Sequence, residues 1–447
     1  MSSIATPQPA AGDPAPIAVG TLFSTMRLRR SHVIAGSVLF FAFVVEAWEQ
    51  VGLIYVAPGI MADFGVSQGQ LGMALSAVAF GMVPGTLLWA TLVDRLGRKK
   101  VAIASLLAYA ALALASALSP SFTLFLVLRF LAGVAFGGIY AVTFPYFIEL
   151  LPTRYRGPGA VALSIGFPVG TLLCIAVSSV FGHENWRIVA VIAALAGLWA
   201  FAVWALVPES PYWLVKRGHL DQAHHVLSGF GVEVPADRTL VLEVAHSDGQ
   251  DAKATVRAMH PGFLLAVVLV VSFTFSWGYW GLQTWLPALL QSKGLSISAS
   301  LGFVALSQVV SVPGYLLAAW LTKVIGRRWV FIAFAIGSII GGAIFALAAD
   351  SVQMYIGNFV LAFFSLGAWG IWNTWSGEVM PTSIRGAGYA SSTAAILLAQ
   401  TLAVPVIGTM LDHSLSFTVV VGSIVAMLVV AVLAVLPLPE TEGRALR

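Results

Sequence analysis

Long runs of apolar residues alternate with short polar connections along most of the chain. A transmembrane helix requires about 20 mostly apolar residues, and twelve runs approach or exceed that length. The pattern predicts an all-α membrane protein with twelve transmembrane helices, which we call spans 1 to 12. Spans 1 to 6 are predicted at residues 33–58, 69–93, 101–119, 122–147, 158–181 and 187–207. Spans 7 to 12 are predicted at residues 261–287, 298–322, 329–348, 352–376, 388–411 and 415–437.

Polar stretches set the domain boundaries. They predict an amino-terminal tail (1–32), a six-span bundle (33–207), a central linker (208–260), a second six-span bundle (261–437) and a carboxy-terminal tail (438–447). Within the linker, His224 and His225 are adjacent instead of spaced along one helix face, and no carboxylate cluster accompanies them. We therefore expect a solvated linker with amphipathic helices and no metal site.

The composition excludes a soluble protein. Hydrophobic residues make up 59% of the chain and charged residues 9%, whereas a soluble domain carries about 25% charged residues. The mean hydropathy is +0.92. The single cysteine, Cys174, lies in an apolar run and excludes disulfides and cysteine metal clusters. The first thirty residues lack the pattern of a cleaved signal peptide, so we expect span 1 to direct the chain to the membrane.

The distribution of Lys and Arg predicts the orientation, because cytoplasmic loops carry an excess of both. Of the 23 Lys and Arg residues, 20 fall on the side of the two termini, Arg187 and Lys293 fall on the other side, and Arg129 lies inside span 4. Both termini are therefore predicted to be cytoplasmic, in a multi-pass protein of the cell (inner) membrane. The same distribution explains the pI of about 9.2 without a nucleic-acid partner.

Two motifs recur at one fixed offset. Residues 93–99 (VDRLGRK) resemble residues 322–328 (TKVIGRR), and residues 149–157 (ELLPTRYRG) resemble residues 378–386 (EVMPTSIRG). Both pairs are 229 residues apart, and each motif follows an equivalent span. The offset predicts two pseudo-symmetric six-helix bundles.

These motifs resemble those of a known family. Residues 94–99 are similar to the loop signature of the major facilitator superfamily, although Ala90 stands where that family has its first glycine. Residues 149–157, 208–214 (PESPYWL) and 439–443 (PETEG) resemble signatures of sugar porters and related metabolite–proton symporters. The resemblance implies the major facilitator fold and a monomeric transporter that needs no cofactor.

The resemblance also implies a cytoplasmic gate. In that gate Asp94 would meet the amino terminus of span 11 near Gly388, where the helix dipole is positive. Arg98, Glu149 and Arg156 would form an ion-pair network that holds the halves together when the inner side is closed. The residues implied in the gate are Asp94, Arg95, Gly97, Arg98, Glu149, Arg156, Glu378 and Arg385. Gly133 and Gly137 on span 4 form a small-xxx-small pair that predicts close helix packing.

Three charged residues lie well inside the predicted spans: Glu46 and Glu49 on span 1, and Arg129 on span 4. Their counterparts 229 residues later are the uncharged Phe275, Gly278 and Asn358. A charge at the bilayer centre costs about 2.5–3.5 kcal/mol even on the lenient insertion scale, so each needs a partner or a function.

The spacing of three places both glutamates on one face of span 1, and Glu49 lies at a depth similar to that of Arg129. We expect Arg129 to pair with one glutamate while the other takes up a proton. Residues 46–49 also resemble the acid-x-x-acid signature of aromatic acid–proton symporters, which normally carry aspartate. The alternative is a buried ion pair that only orients spans 1 and 4.

Spans 7 and 10 are rich in aromatic and amide side chains. Five residues are predicted to line a cavity for a small ring-bearing molecule: Tyr279, Gln283, Gln308, Trp369 and Asn373. Trp285 and Trp375, near span ends, are predicted to be interfacial anchors.

The function predicted from these features is proton-coupled symport of a small organic acid, with an aromatic carboxylate as one candidate. Sugar or polyol–proton symport, organic-cation transport and drug–proton antiport are alternatives, and a non-transporting sensor is another. An enzyme is not expected, because no nucleophile–base pair or nucleotide-binding loop is evident.

Overall fold

Twelve long apolar helices dominate the computed structural model, which describes residues 16–182, 185–232, 234–235, 239–242, 261–380 and 385–441, apart from the side chains of 161, 196 and 385–387. Spans 1 to 6 are Arg30–Val51, Gln68–Leu96, Arg98–Ala117, Phe122–Glu149, Thr153–Phe181 and Trp186–Leu206. Spans 7 to 12 are Pro261–Ser292, Ile297–Ile325, Arg327–Ala346, Ser351–Glu378, Gly388–Asp412 and Phe417–Val435. The prediction of twelve spans is confirmed.

Span 1 is shorter than predicted. Its helix ends at Val51, a 3-10 turn follows at Ile54–Val56, and a separate helix runs from Ala57 to Phe64. Pro58 stands in the first turn of this separate helix, where its missing N–H leaves no hydrogen bond unmade. Glu49 therefore lies just before a break in the helical path.

The connections at Gly97 and Gly326 lie at the end of the bundle where span 1 begins, which we call the terminal side. The opposite end, which includes Ser67 and Asp412, is the far side. Gly97 and Gly326 have φ values of 97° and 88°, a region that favours glycine. The two connections share one backbone geometry, so the 229-residue repeat seen in the sequence is also present in the structure.

Glycines bring spans 2 and 4 into backbone contact. A Cβ atom added at Gly81 would lie 2.1 Å from the carbonyl oxygen of Phe130, and one added at Gly133 would lie 2.2 Å from that of Val78. A Cβ atom at Gly137 would lie 2.7 Å from the backbone nitrogen of Thr86. The close packing expected of Gly133 and Gly137 is therefore present.

The two halves meet mainly through spans 2 and 11 and through spans 5 and 8. One hydrophobic cluster fills the second half and continues into the far side of the first, while another fills the terminal side of the first half. Cys174 of span 5 is fully buried, with its sulfur 3.8 Å from the carbonyl oxygen of Gly52.

On the terminal side, the tail packs against the linker. A short helix, Val19–Thr25, precedes span 1, and the linker contains helices Pro211–Lys216 and Leu220–Gly229. Strand β1 (Ile17–Ala18) pairs in parallel with β2 (Leu240–Val241). The linker histidines His246 and His260 lie outside the described residues.

Candidate transport site

An ion pair and a hydroxyl group meet in the middle of the first half. Glu49 of span 1 forms an ion pair with Arg129 of span 4 through Oε1 and Nη2. The hydroxyl of Tyr109, on span 3, donates to Glu49 Oε2. All three side chains are at most 5% exposed. Three helices thus converge on one carboxylate, and we call Glu49, Arg129 and Tyr109 the charged triad.

Glu46 lies one turn from Glu49 toward the terminal side. It is 3% exposed, and its Oε2 has no hydrogen-bond partner among the described residues. No ion pair involves it in the described part of the chain. The two glutamates of span 1 therefore have different surroundings, one paired with a cation and the other not.

A cavity between the halves adjoins the charged triad. From the first half it is lined by Glu49, Gln50 and Arg129, and from the second by Thr284 of span 7 and Gln400 of span 11. The remaining lining is apolar: Leu53, Ile54, Leu75, Val78, Ala79, Met82 and Val404. We call this space the central cavity. It offers one cation and several neutral polar groups to a small molecule.

The sequence did not reveal four of these residues. Tyr109 is a single aromatic residue in an apolar span. Gln50, Thr284 and Gln400 are neutral polar residues, and nothing in the sequence sets them apart from other polar residues of the spans. The one available signal was position: Gln50 follows Glu49, and Tyr109 has Ser338 as its counterpart at the 229-residue offset.

The aromatic residues predicted on spans 7 and 10 do come together. The rings of Tyr279 and Trp369 stack with centroids 5.0 Å apart. The ring of Trp280 is perpendicular to that of Trp369, with centroids 6.5 Å apart. Its centroid lies 6.2 Å from that of Phe167 on span 5. This aromatic cluster therefore reaches from the second half to the first.

The other cavity candidates are placed differently. Gln283 and Tyr279 line a second cavity inside the second half, together with Ser307 and Asn358. Gln308 is buried and Asn373 is exposed, and neither belongs to the lining of these two cavities. Helix rotation decides which side of a span faces a cavity, and the sequence pattern did not resolve it.

Trp285 and Trp375 are not interfacial anchors. Both are at most 2% exposed. Their indole nitrogens donate to the carbonyl oxygens of Val404, at 2.8 Å, and Pro439, at 3.3 Å. The prediction is wrong because each indole bonds to a neighbouring backbone segment instead of facing the headgroup region.

The second half carries an uncharged version of the charged triad. The positions 229 residues after Glu49, Tyr109 and Arg129 are occupied by Gly278, Ser338 and Asn358. Asn358 donates to the Ser307 hydroxyl at 2.5 Å, and the Ser365 hydroxyl donates to that of Ser338 at 3.2 Å.

On the terminal side, Arg98 and Glu149 form a double contact. Arg98 Nε and Nη2 lie 3.1 Å from Glu149 Oε2 and Oε1. The equivalent pair in the second half is Arg327 and Glu378, at 2.5 Å.

A second glutamate lies beside each pair. It accepts a hydrogen bond from the backbone N–H of the first residue of span 3 in the first half and of span 9 in the second. Glu209 accepts from the backbone N–H of Arg98 at 2.9 Å, and Glu440 accepts from that of Arg327 at 2.9 Å. Burial raises the pKa of the Glu209 carboxyl, and the backbone N–H donors oppose that rise.

A profile of the sugar (and other) transporter family matches residues 24–447, which cover both bundles. The chain belongs to the major facilitator superfamily. The niacin transporter NiaP of Acinetobacter baylyi is 30% identical over 405 residues, 88% of this chain and 91% of that protein. The gallate transporter of Pseudomonas putida is 27% identical over 356 residues, 78% of this chain and 79% of that protein.

The fold agrees with this assignment. The xylose transporter XylE from E. coli, in a partially occluded inward open conformation, superposes with a TM-score of 0.76 at 18% identity. The match covers 94% of this chain and 100% of that chain. The prediction of a major facilitator transporter, in a family of transporters and not enzymes, is confirmed.

Two loop residues of this transporter bond to the first half and its linker. The Asp94 carboxylate contacts Lys216 Nζ at 3.1 Å, and Arg156 bonds to Leu151 O and the Tyr212 hydroxyl. Residues 381–384 and the side chains of 385–387, at the approach to span 11, lie outside the described part. The contact of Asp94 with the start of span 11 therefore stays a prediction.

Three other residues were also implied in the cytoplasmic gate. Arg95 is exposed, Gly97 caps span 2, and the side chain of Arg385 lies outside the described part.

A polar contact joins the two halves of the transporter at the far side. Asp412, at the end of span 11, accepts from the backbone N–H groups of Gln68 and Gly69 and from the Ser67 hydroxyl, each at 2.8 Å. We call this contact the far-side clasp. A carboxylate is favourable at a helix amino terminus, so the clasp stabilises closure of the far side.

Proposed function

We propose that the transporter moves a small organic acid, with aromatic carboxylates as the leading class, together with a proton. The observation that supports this most strongly is the pair of buried glutamates on span 1. Glu49 lines the central cavity with its partner Arg129, and Glu46 lies one turn away with no ion-pair partner among the described residues. We further propose that the terminal side is cytoplasmic, on the basis of the 20 cations on that side.

Arg129 is suited to bind a substrate carboxylate. It lines the central cavity, and its contact with Glu49 is made through Nη2, which leaves other N–H donors of the guanidinium for a ligand. Guanidinium and carboxylate groups form strong, charge-assisted pairs. The apolar residues that line the rest of the central cavity supply the surface that a ring favours.

Glu46 is suited to carry the proton. A carboxyl group buried without a cation is far less costly to bury when it is protonated. A proton bound at Glu46 would offset the charge of an arriving substrate carboxylate, so the buried net charge stays constant during the cycle. This balance is the physical basis that we propose for coupling.

The comparisons support an acid as the substrate. Two of the relatives named above are described as transporters of niacin and gallate, and both compounds are aromatic carboxylic acids. Sugar symport is the second candidate, because Gln50, Thr284 and Gln400 offer neutral hydrogen-bonding groups of the kind that bind hydroxyls.

The test is counterflow by the purified transporter in proteoliposomes. The panel contains nicotinate, gallate, benzoate, xylose and an organic amine, each with and without an imposed pH gradient. We expect exchange of one or more aromatic acids and accumulation only with the gradient. Xylose exchange without acid exchange would favour the second candidate. Acid uptake that ignores the gradient would contradict proton coupling.

Single replacement of the glutamates tests the assignment of the proton. Glu46→Gln cannot release a proton, so we expect exchange to persist while gradient-driven accumulation is lost. Glu49→Gln removes the partner of Arg129, so we expect it to impair exchange as well. If Glu46→Gln accumulates substrate like the unchanged protein, Glu46 is not the proton site.

A further inference from the structure

Three buried nitrogen donors in the first half have no acceptor among the described residues: Nη1 of Arg98, Nε of Arg129 and Nε1 of Trp48. Arg98 lies on the terminal side, whereas Arg129 and Trp48 lie together near the charged triad. A buried N–H group without an acceptor is destabilising, and such groups are therefore rare in folded proteins.

Both side chains line the same small chamber, between spans 1, 3, 4 and 6. Glu49 and Tyr109 also line it, so the chamber adjoins the charged triad on the side away from the central cavity. The other lining residues are Gly52, Leu53, Ala113, Ser116, Val189, Ala190 and Ala193. Among these residues only Ser116 carries a polar side chain, and its hydroxyl donates to the carbonyl oxygen of Ala113 at 2.8 Å.

We propose that this chamber is a binding site for one water molecule. Its size is close to that of a single water, and buried waters typically make two to four hydrogen bonds. A water oxygen placed there accepts from Arg129 Nε and Trp48 Nε1. Its hydrogens face Glu49 Oε1, which has an ion-pair contact with Arg129 but no hydrogen bond in the described part.

The water holds Arg129 in position while its other contacts change. During the cycle of the proposed function, on which this consequence rests, Glu49 and a substrate carboxylate both interact with the guanidinium. An acceptor that stays on Nε keeps the guanidinium plane fixed through those exchanges. Trp48 is therefore a positioning residue that acts through the water, and it does not contact the substrate.

The repeat offers a matched control for this site. Trp277 stands 229 residues after Trp48, and the position equivalent to Arg129 is the uncharged Asn358. Trp277 is half-buried, and it does not belong to the lining of the second-half cavity. Replacement of either tryptophan by phenylalanine keeps an aromatic ring and removes only the N–H donor and part of the ring area.

The experiment compares Trp48→Phe with Trp277→Phe in proteoliposomes. We expect Trp48→Phe to move the pH midpoint of uptake by about half a unit or more and to keep counterflow. Trp277→Phe should leave both unchanged. Equal behaviour of the two variants would overturn the proposal. Ala113→Val, which fills the chamber, should reproduce the shift of Trp48→Phe.

A second measurement does not depend on transport. A density map of the unchanged protein that resolves ordered water should show a peak within about 3 Å of both nitrogens. A map that shows ordered water elsewhere but none in the chamber would overturn the water site. If uptake has no pH dependence at all, the proposed coupling fails, whereas the map still decides whether the water is bound.

Discussion

The two halves of the transporter place different chemistry on one framework. Spans 1, 3 and 4 bring Glu49, Tyr109 and Arg129 together in the first half, whereas the equivalent positions in the second half hold glycine, serine and asparagine. The loops at Gly97 and Gly326 and the pairs that follow them are nearly the same in both halves. Chain geometry is therefore shared, whereas the charged residues in the middle of the described spans lie in the first half.

This difference separates the roles of the halves. Burying a charged pair costs several kcal/mol per ion before its mutual attraction is counted. A buried ion pair is therefore not expected in a half whose role is only structural. The second half satisfies its buried polar groups with neutral hydrogen bonds between Asn358 and Ser307. We infer that the first half carries the charge chemistry and the second supplies walls and neutral contacts.

The largest expected effect comes from breaking the charged pair. Arg129→Ala leaves Glu49 buried without a cation, which costs about 3–5 kcal/mol. Asn358→Ala, the matched control, removes one donor to the Ser307 hydroxyl, which keeps its own bond to Phe303 O, and costs about 0.5–1.5 kcal/mol. We expect Arg129→Ala to abolish counterflow and to lower the midpoint of thermal unfolding further. Equal losses of counterflow and equal shifts of the unfolding midpoint in the two variants would contradict the inference that the first half carries the charge chemistry.

A smaller effect is expected from the third member of the charged triad. Tyr109→Phe removes the hydroxyl that donates to Glu49, and a hydrogen bond to a charged group contributes about 1.5–3 kcal/mol. Gradient-driven accumulation should therefore fall about tenfold or more. Ser338→Ala, at the equivalent position, removes a hydroxyl that bonds to its own helix at Phe334, and accumulation should stay within about twofold. Initial uptake rates of both variants at one protein density decide between these outcomes.

The smallest expected effect lies where the halves touch. Asp412→Asn weakens the far-side clasp by removing a charge at the amino terminus of span 2, which is worth about 0.3–1 kcal/mol. Hydrogen exchange at the amides of Gln68 and Gly69 should accelerate. Asp350→Asn is the control, because Asp350 caps span 10 within its own half at 2.8 Å. Unchanged exchange at Gln68 and Gly69 would show that the clasp does not hold the far side closed.

Much of the architecture could be predicted, because membrane spans are encoded locally. Twelve apolar runs, the cation bias and a fixed offset specify helices and their repeat without reference to packing. Glu46, Glu49 and Arg129 were found for the same reason, since a charged residue inside an apolar run can be recognised from the sequence alone.

The rest depends on which faces meet. Tyr109 and Gln400 look unremarkable in the sequence, and only the rotation of their helices brings them to the triad and the central cavity. Trp285 and Trp375 resemble anchors until their indoles are seen to bond to neighbouring backbone. Asp94 pairs with Lys216 of the linker, and the loop motif alone does not indicate that partner.

The lone, fully buried Cys174 makes the protein nearly silent toward thiol-reactive dyes and spin labels. A cysteine introduced at a single exposed site would then report from that site alone, against a background that needs no prior removal of native thiols. Pairs of such labels across the far side would measure how often the two halves separate there, in lipid and during turnover.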